Sequence, residues 1–528
     1  MKILVAEPLA EAALALLRDQ PGWEVIVSNP REYLDHLPEA DALVVRSAVR
    51  VTAEVLARAP KLRVIGRAGV GVDNVDQEAA TAAGIPVMNT PGGNSISVAE
   101  HTLALMLSLA RAVPQASAST RGGKWEKQKF LGSELGGKTL GVLGLGSVGR
   151  EVVLRARAFE MRILACDPYV SSQRASDLDV ELADLARLLA ESDYITLHLA
   201  LTPETRKVLS REAFAAMKHG VRIVNCARGE LVDSDALLEA MRSGKVAGAA
   251  LDVFDPEPPG AGNPLLAEEN LVATPHIGGA TEEAQEKVGV RIAEQLVQYL
   301  RDGVAVNAVN LPALSPEQYR ILGPYIALAE RLGTFAAHLA AGQPRAVRLT
   351  YLGKIGEGNT HLIRNAGLAG VLSRSLAQKA NLVNAMPIAA QRGLDVAEAH
   401  LARGGHTDSI RLELVTDAGT TSVEGALVLD KPRLLQVDGI YCEATLAGHL
   451  TFMKNKDVPG VIGHVGSVFG RNHVNIANFS LGRREGPAVA GEPLDAVAVV
   501  ETDDPAPASV LAELRRHPAV MLARSVEF

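Results

Sequence analysis

"KTLGVLGLGSVGREV", residues 138–152, is the stretch that decides the fold. A short apolar run, Leu140–Leu143, reads as a buried strand, and "REVVLRARAF" after it reads as a helix. Between them stand Gly144, Gly146, Ser147, Val148 and Gly149, spaced as GxGxxG. Gly144 permits the tight turn, Gly146 lets a pyrophosphate approach the backbone, and Gly149 allows the helix to pack closely on the strand. The helix N-terminus then faces the phosphates. A bare GxGxxG is weak evidence, but the next strand, "RILACDPY" (162–169), delivers Asp167, 23 residues beyond Gly144 and suited to a ribose 2′-hydroxyl. An acid there repels a 2′-phosphate, so NAD is expected rather than NADP.

Outward from this unit, the α/β series runs from Thr139 to about Gly279. A complete second series precedes it. Strand-like runs Ile3–Val5, Val25–Val27, Ala42–Val45, Val64–Ile65 and Val87–Met88 alternate with Ala/Leu-rich stretches, which is the pattern of a parallel sheet. Asn94 and Ser95 stand ahead of a long helical segment and predict its N-cap. This placement predicts a bilobed enzyme, one lobe gripping the substrate and the other the cofactor.

Beyond an amphipathic helix ending at Gly303, Pro312 and Pro316 mark a linker. Residues 317–445 read as a mixed α+β module, and 448–527 as the βαββαβ order of a ferredoxin-like fold.

Composition narrows the function. The chain has 528 residues, enough for three or four domains, with 47% hydrophobic and 22% charged residues, ordinary globular values. A net charge of -8 without a basic cluster disfavours nucleic-acid and acidic-membrane partners, so an anionic substrate needs local arginines. Cys166, Cys226 and Cys442 are far apart and lack metal-ligand spacing. No structural metal is expected, and the compartment is expected to be reducing, hence cytoplasmic. The opening "MKILVAEPLAEAAL" is too short and mixed for a signal peptide, and no window reads as a membrane span.

Chemistry is expected at the strand ends of the second series. "RIVNCARGEL" (222–231) presents Arg228, "AGAALDVFDPEP" (247–258) presents Asp252 and Glu257, and "LVATPHIGG" (271–279) presents His276. In open parallel sheets ligands bind beyond the carboxyl ends of the strands. His276 can take a hydroxyl proton as hydride leaves, Glu257 can orient the imidazole, and Arg228 can clamp a carboxylate bidentately. Singly, each also fits a bland role: a satisfied core histidine, a turn acid between prolines, a surface arginine.

With "IGRAGVGVDNVD" (65–76), "NTPGGNS" (89–95), "GLGSVGRE", "NCARGELVD", "ALDVFDPEP" and "TPHIGGAT" in view, the chain resembles the D-isomer-specific 2-hydroxyacid dehydrogenases. Its tail, through "VNAMPIAAQRGLDV" (383–396) and "KDVPGVIGHVGSVFGRNHVNIANF" (456–479), resembles the intervening and ACT domains of the long-form D-3-phosphoglycerate dehydrogenase branch. The resemblance implies two doubly wound Rossmann-like domains, an α+β domain and a ferredoxin-like ACT domain. It divides the chain into 1–94 plus 282–310 (substrate-binding, flavodoxin-like), 95–281 (NAD-binding), 317–445 (intervening) and 448–528 (ACT). It implies NAD-dependent oxidation of 3-phospho-D-glycerate, the first step of L-serine synthesis, with Arg228, Glu257 and His276 as the catalytic set.

It further implies Arg46 and Arg67 as anion contacts, Gly69, Val70 and Asn94 as cleft donors, and Cys226 and Asp252 near the nicotinamide. Lys127 and Lys129 fall on a segment that in relatives can reach a neighbouring subunit's cleft, so a homodimer or homotetramer is expected. Asn455, Asp457 and Asn475 fall at effector positions, with L-serine the candidate. "TLHLALT" (196–202) departs from the family, showing Leu199 and Ala200 where relatives often have Thr-Pro or Leu-Pro, so no cofactor contact is assigned there. Two rival readings stay open: another D-2-hydroxyacid dehydrogenase, such as a glyoxylate or hydroxypyruvate reductase, and a non-catalytic, NAD-sensing corepressor.

Overall fold

The computed structural model describes residues 1–374, 380–401, 408–486 and 493–528. Among the described residues the strands form four sheets. The first contains β1 (Lys2–Val5), β2 (Glu24–Val27), β3 (Ala42–Val45), β4 (Val64–Arg67) and β5 (Val87–Met88) in the order 2-1-3-4-5. All its pairings are parallel, the flavodoxin-like arrangement. Such strands must be apolar on both faces, and β3, Ala-Leu-Val-Val, is buried at every residue.

The second sheet holds β6 (Thr139–Leu143), β7 (Arg162–Cys166), β8 (Glu181–Leu182), β9 (Tyr194–Leu197), β10 (Val221–Asn225), β11 (Val246–Leu251) and β12 (Leu271–Ala273). Their order, 12-11-10-9-6-7-8, is fully parallel and reverses direction between β6 and β9, the switch point at which doubly wound sheets bind dinucleotides.

Two helices join these lobes. Ser95–Arg111 leaves the first sheet, and Asn94 occupies its cap position without making a side-chain cap bond. The predicted cap is therefore positional only, since the Asn94 amide faces Gly279 and the cleft instead. Ala112, at φ 47°, breaks this helix from the next, Val113–Arg121. Glu282–Asp302 returns across the first sheet, capped by Thr281, whose hydroxyl accepts from Ala284 N–H, and ended by Gly303 at φ 73°. Its Val288, Ile292, Leu296 and Leu300 share a core with Ile3, Val5 and Val64. Burying each such side chain contributes about 1.5–3 kcal/mol. Gly66 keeps the approach close, because a Cβ there would sit 2.9 Å from Ile292. No single helix among the described residues is long and apolar enough to cross a membrane.

The third sheet, β13 (Pro344–Leu352), β14 (Asp395–Leu401), β15 (Ser409–Thr416), β16 (Gly419–Val428), β17 (Lys431–Val437) and β18 (Ile440–Thr445), is mixed, with only β13 and β14 parallel. The fourth, β19 (His449–Lys456), β20 (Ile476–Arg483), β21 (Asp495–Thr502) and β22 (Val520–Glu527), has the antiparallel order 20-21-19-22 of the ferredoxin-like fold. Along β19 and β21 the side chains split by period two. Leu450, Phe452, Val497 and Val499 join the core of the third sheet, while Met453, Ala498 and Val500 join that of the fourth sheet's own helices. Phe452 meets Phe335 of helix Pro316–Leu339 edge-on at 5.7 Å.

Candidate active site

Between the two parallel sheets lies a cavity of ≈ 660 Å³, lined by Arg46, Arg67, Gly69, Asn94, Asp252, Glu257 and His276 among others. Each of these sits at or beyond the carboxyl end of a strand, or on the hinge segment that carries Asn94.

His276 follows β12 at φ 54°, a conformation that costs energy for a non-glycine residue and marks functional turns. Asp252, 1% exposed, holds that turn in place. Its Oδ1 accepts from the Thr274 hydroxyl at 2.6 Å and Ile277 N–H at 2.9 Å, and its Oδ2 accepts from Gly278 N–H at 2.8 Å. The Asp252 carbonyl takes His276 N–H at 2.8 Å. Burial opposes ionisation of Asp252, but His101, Thr274 and these amides outweigh it and hold its carboxyl below the usual range.

Glu257 Oε2 lies 2.9 Å from His276 Nδ1, and its Oε1 accepts from Phe254 N–H at 3.0 Å. The Glu257 hydrogen bond raises the His276 pKa above its ordinary value, against partial burial and the Arg228 charge. Burial acts against Glu257, but His276 and Phe254 N–H bring its carboxyl below normal. With Nδ1 committed to Glu257, Nε2 is the nitrogen left to face a substrate.

Arg228 follows β10 and reaches the first-sheet loop at Asp73, and it is not among the residues that line the cavity. Its Nε and Nη2 donate to Asp73 Oδ2 at 2.9 and 2.7 Å, and Nη1 donates to the Ala227 carbonyl at 2.7 Å. Behind it, Cys226 is buried at the strand end, and burial pushes its thiol up to about 12, so the thiol is neutral.

The other arginines belong to the first sheet. Glu7, 6% exposed, accepts from the amides of Arg46, Ala48 and Val49 and so shapes the turn carrying Arg46, whose Nη1 donates to Pro8 C=O at 3.3 Å. Arg67 folds over Gly69, and burial, then the Arg228 charge, pushes its pKa down to about 10. Its Nε is buried without a partner among the described residues, as suits a group placed for an anion. Gly69 N–H donates to Arg67 C=O at 2.9 Å, and the Val70 carbonyl accepts from Asn89 Nδ2 at 2.6 Å.

The glycine loop has the properties a dinucleotide requires. Gly144 is at φ 96°, and a Cβ there would lie 2.6 Å from the His198 carbonyl oxygen. A Cβ at Gly149 would overlap the Gly144 carbonyl. At Gly146 a Cβ would meet nothing within 4 Å: the space beside the backbone is open, and a side chain would fill it. Helix Ser147–Ala158 begins there, with Ser147 exposed and Val148 partly so. Asp167, at the end of β7, accepts from Leu145 N–H at 2.8 Å and Tyr169 N–H at 2.9 Å, which ties the acid to the loop. This loop, helix terminus and acid fit an NAD pyrophosphate and ribose.

Three family models match successive parts of the chain: the D-isomer specific 2-hydroxyacid dehydrogenase NAD binding domain at 103–278, the D-3-phosphoglycerate dehydrogenase intervening domain at 321–438, and the ACT domain at 449–518. A D-3-phosphoglycerate dehydrogenase of Archaeoglobus fulgidus is 44% identical over 531 residues, covering 100% of both chains. The chain belongs to the D-3-phosphoglycerate dehydrogenase family. The family member of Methanocaldococcus jannaschii is 44% identical over 522 residues, 98% of each chain. Among solved structures, the Staphylococcus aureus NAD-dependent formate dehydrogenase in complex with NAD is 31% identical with a TM-score of 0.52, covering 57% of this chain and 96% of its own.

Not every expected site residue of this family member gathers at the cleft. Lys127 and Lys129 lie on the exposed segment after helix Val113–Arg121, and Lys129 lines a separate groove with Phe130, Arg222 and Glu269. In the fourth sheet Asn455 is 2% exposed and pairs in register with Ala496, whereas Asn475 precedes Ile476, which pairs near Thr502. Asp457 lies at the Asn455 end, 3.7 Å from Arg483, and Asn475 donates to Asp503. Six residue steps along β21 separate the two ends, about 20 Å at ~3.3 Å per residue, so one chain does not unite the trio. Sequence reasoning missed Asp73, Glu7, Thr274 and His101, whose roles come from partners distant in the chain. The motif "VGVDNVD", full of turn-forming and acidic residues at a strand end, was the available signal for Asp73.

Proposed function

We propose that the chain catalyses NAD-dependent oxidation of 3-phospho-D-glycerate to 3-phosphohydroxypyruvate, the first step of L-serine biosynthesis. The observation that carries this is the His276–Glu257 pair opening onto the same cavity as Arg46 and Arg67. Bound at the glycine loop by Gly144, Gly146, Ser147, Val148, Gly149 and Asp167, NAD supplies the nicotinamide that accepts the hydride from C2. Arg228 binds the carboxylate and polarises the adjacent oxygen. His276 Nε2 takes the C2 hydroxyl proton as the C–H bond breaks, and Glu257 steadies the resulting imidazolium. Asp252 and Cys226 wall the site, while Asn94, Gly69 and Val70 border the substrate. Arg46 and Arg67 hold the phosphate.

The two parallel sheets, with helix Glu282–Asp302 returned to the first, support the division into substrate-binding, NAD-binding, intervening and ACT domains. The cleft-remote position of Lys127 and Lys129 is consistent with service to a neighbouring subunit in a homodimer or homotetramer. Asn455, Asp457 and Asn475 are assigned to an L-serine site completed by a second ACT domain. The three unpaired cysteines suit a reducing, cytoplasmic setting.

Steady-state reduction of 3-phosphohydroxypyruvate by NADH, with and without L-serine, and against glyoxylate and hydroxypyruvate, tests the assignment. Strong preference for the phosphorylated acid is expected. Arg46→Ala is expected to raise KM for it by ~10-fold or more while changing KM for an unphosphorylated 2-keto acid little. Equal losses would remove Arg46 from the phosphate site.

A further inference from the structure

Asp73 is not among the groups that the proposed mechanism uses, yet it makes the principal side-chain contact of Arg228. A guanidinium has two edges that can take a carboxylate, the side formed by Nε with Nη2 and the end formed by Nη1 with Nη2. Asp73 Oδ2 takes the side edge, at 2.9 and 2.7 Å. The Ala227 carbonyl takes one N–H of Nη1 at 2.7 Å. What remains is one N–H on each terminal nitrogen, that of Nη2 lying on the end edge.

The loop that presents Asp73 is itself fixed. Asn74 Nδ2 donates to the carbonyls of Arg46 and Val49 at 2.8 and 2.7 Å, and Val51 pairs with Val75 on the other side. Gly71 has no side chain where one would collide with the Arg228 tip. The ion pair thus joins a first-sheet loop to the end of β10, residues 155 apart in sequence. Asp73 is 61% exposed, so the pair adds little to stability. Its effect is on where the Arg228 donors point.

We propose that Asp73 is a positioning residue for the carboxylate of the substrate, fixing Arg228 so that its Nη1/Nη2 end receives that carboxylate. The proposal deepens the functional reading above and rests on it for the identity of the substrate. Asp73 touches Arg228 and not the reacting atoms. It also compensates the Arg228 charge, which sits among Arg67, Glu257 and His276.

Asp73→Ala and Asp73→Asn in the full-length enzyme test this. Asparagine keeps one carbonyl oxygen able to accept both Arg228 N–H groups. Alanine is expected to raise KM for 3-phosphohydroxypyruvate by ~10–100-fold with KM for NADH changed by less than ~2-fold, and asparagine to recover most of the loss. Calorimetric titration with tartronate, a 2-hydroxy dicarboxylate, in the presence of NADH is expected to show the same order of affinities. An unchanged or lowered KM in Asp73→Ala, with tartronate bound as tightly or more tightly, would overturn the proposal by showing that Asp73 is a spectator or competes with the substrate. So would an asparagine variant as impaired as alanine. If alanine does not fold, wild type against asparagine and Asp73→Glu decides, since glutamate cannot keep the same Arg228 plane and must weaken tartronate more than asparagine does. If the wild type does not reduce 3-phosphohydroxypyruvate, the functional reading fails, and tartronate binding alone then judges Asp73.

Discussion

At the scale of single residues, His276 is governed by opposing neighbours. The Glu257 hydrogen bond raises its pKa, while burial and the Arg228 charge lower it. Reduction of the keto acid needs the protonated imidazole, so kcat/KM in that direction is expected to fall as pH rises through a pKa above the ordinary histidine value. Glu257→Gln removes the largest raising influence and leaves burial and Arg228 in place. The falling limb should then move to lower pH, as a pH–rate profile would reveal. A limb that stays in place would mean that Glu257 does not set the proton affinity. His276→Asn, which cannot shuttle the proton, should lower kcat by roughly 10²–10⁴ with NADH binding retained. Arg228 and His276 stood out in the sequence as chemically distinctive residues just past a strand, and Glu257 as an acid between prolines on the turn after another. Asp252, expected near the nicotinamide, organises the His276 turn. That role depends on amides 25 and 26 residues away, a distance at which spacing carries no information.

At the scale of elements, the glycine loop separates two uses of the same residue. A Cβ at Gly149 meets the Gly144 carbonyl, so Gly149→Ala must move the helix off the strand, an overpacking cost of typically about 1–3 kcal/mol. A Cβ at Gly146 meets open space, so Gly146→Val should leave the melting temperature nearly unchanged and weaken NADH by at least ~10-fold, about 1.4 kcal/mol. Thermal melts alongside fluorescence titration of NADH check the contrast, and a destabilised Gly146 variant with intact affinity would refute it. The strands of both parallel sheets were legible as short apolar runs between helical stretches, since burial on both faces leaves no alternation to confuse them. The break at Ala112 was missed. Its φ of 47° falls on a residue with good helix propensity, but Pro114 in the first turn of the next helix could not continue the first one, since it lacks an N–H and its ring would meet the Ala110 carbonyl.

At the scale of the whole molecule, the chain reads as modules in a row, but its last two sheets do not keep separate interiors. Period-two alternation in β19 and β21 shows that each has two apolar faces. It does not say that one face closes on its own helices and the other on a neighbouring module. Phe335 and Phe452, both fully buried, lie at the centre of that shared core, 5.7 Å apart with their rings at 84°. Truncating either to alanine leaves a cavity in both modules at once and should cost about 3–5 kcal/mol. Because they touch, the double variant should lose less than the sum, by roughly 0.5–1.5 kcal/mol of edge-to-face coupling. Amide exchange distinguishes a shared core from adjacent ones. If the core is one, Phe452→Ala weakens protection in β15, β16 and β17 as well as in β19 to β22, and unfolding of the tail stays a single transition. If Phe452→Ala loosens only the fourth sheet, the contact is a docking surface between independent units. An effector signal at the ACT domain would then have to reach the intervening domain by movement of whole bodies, whereas a continuous core transmits it through side chains already packed together.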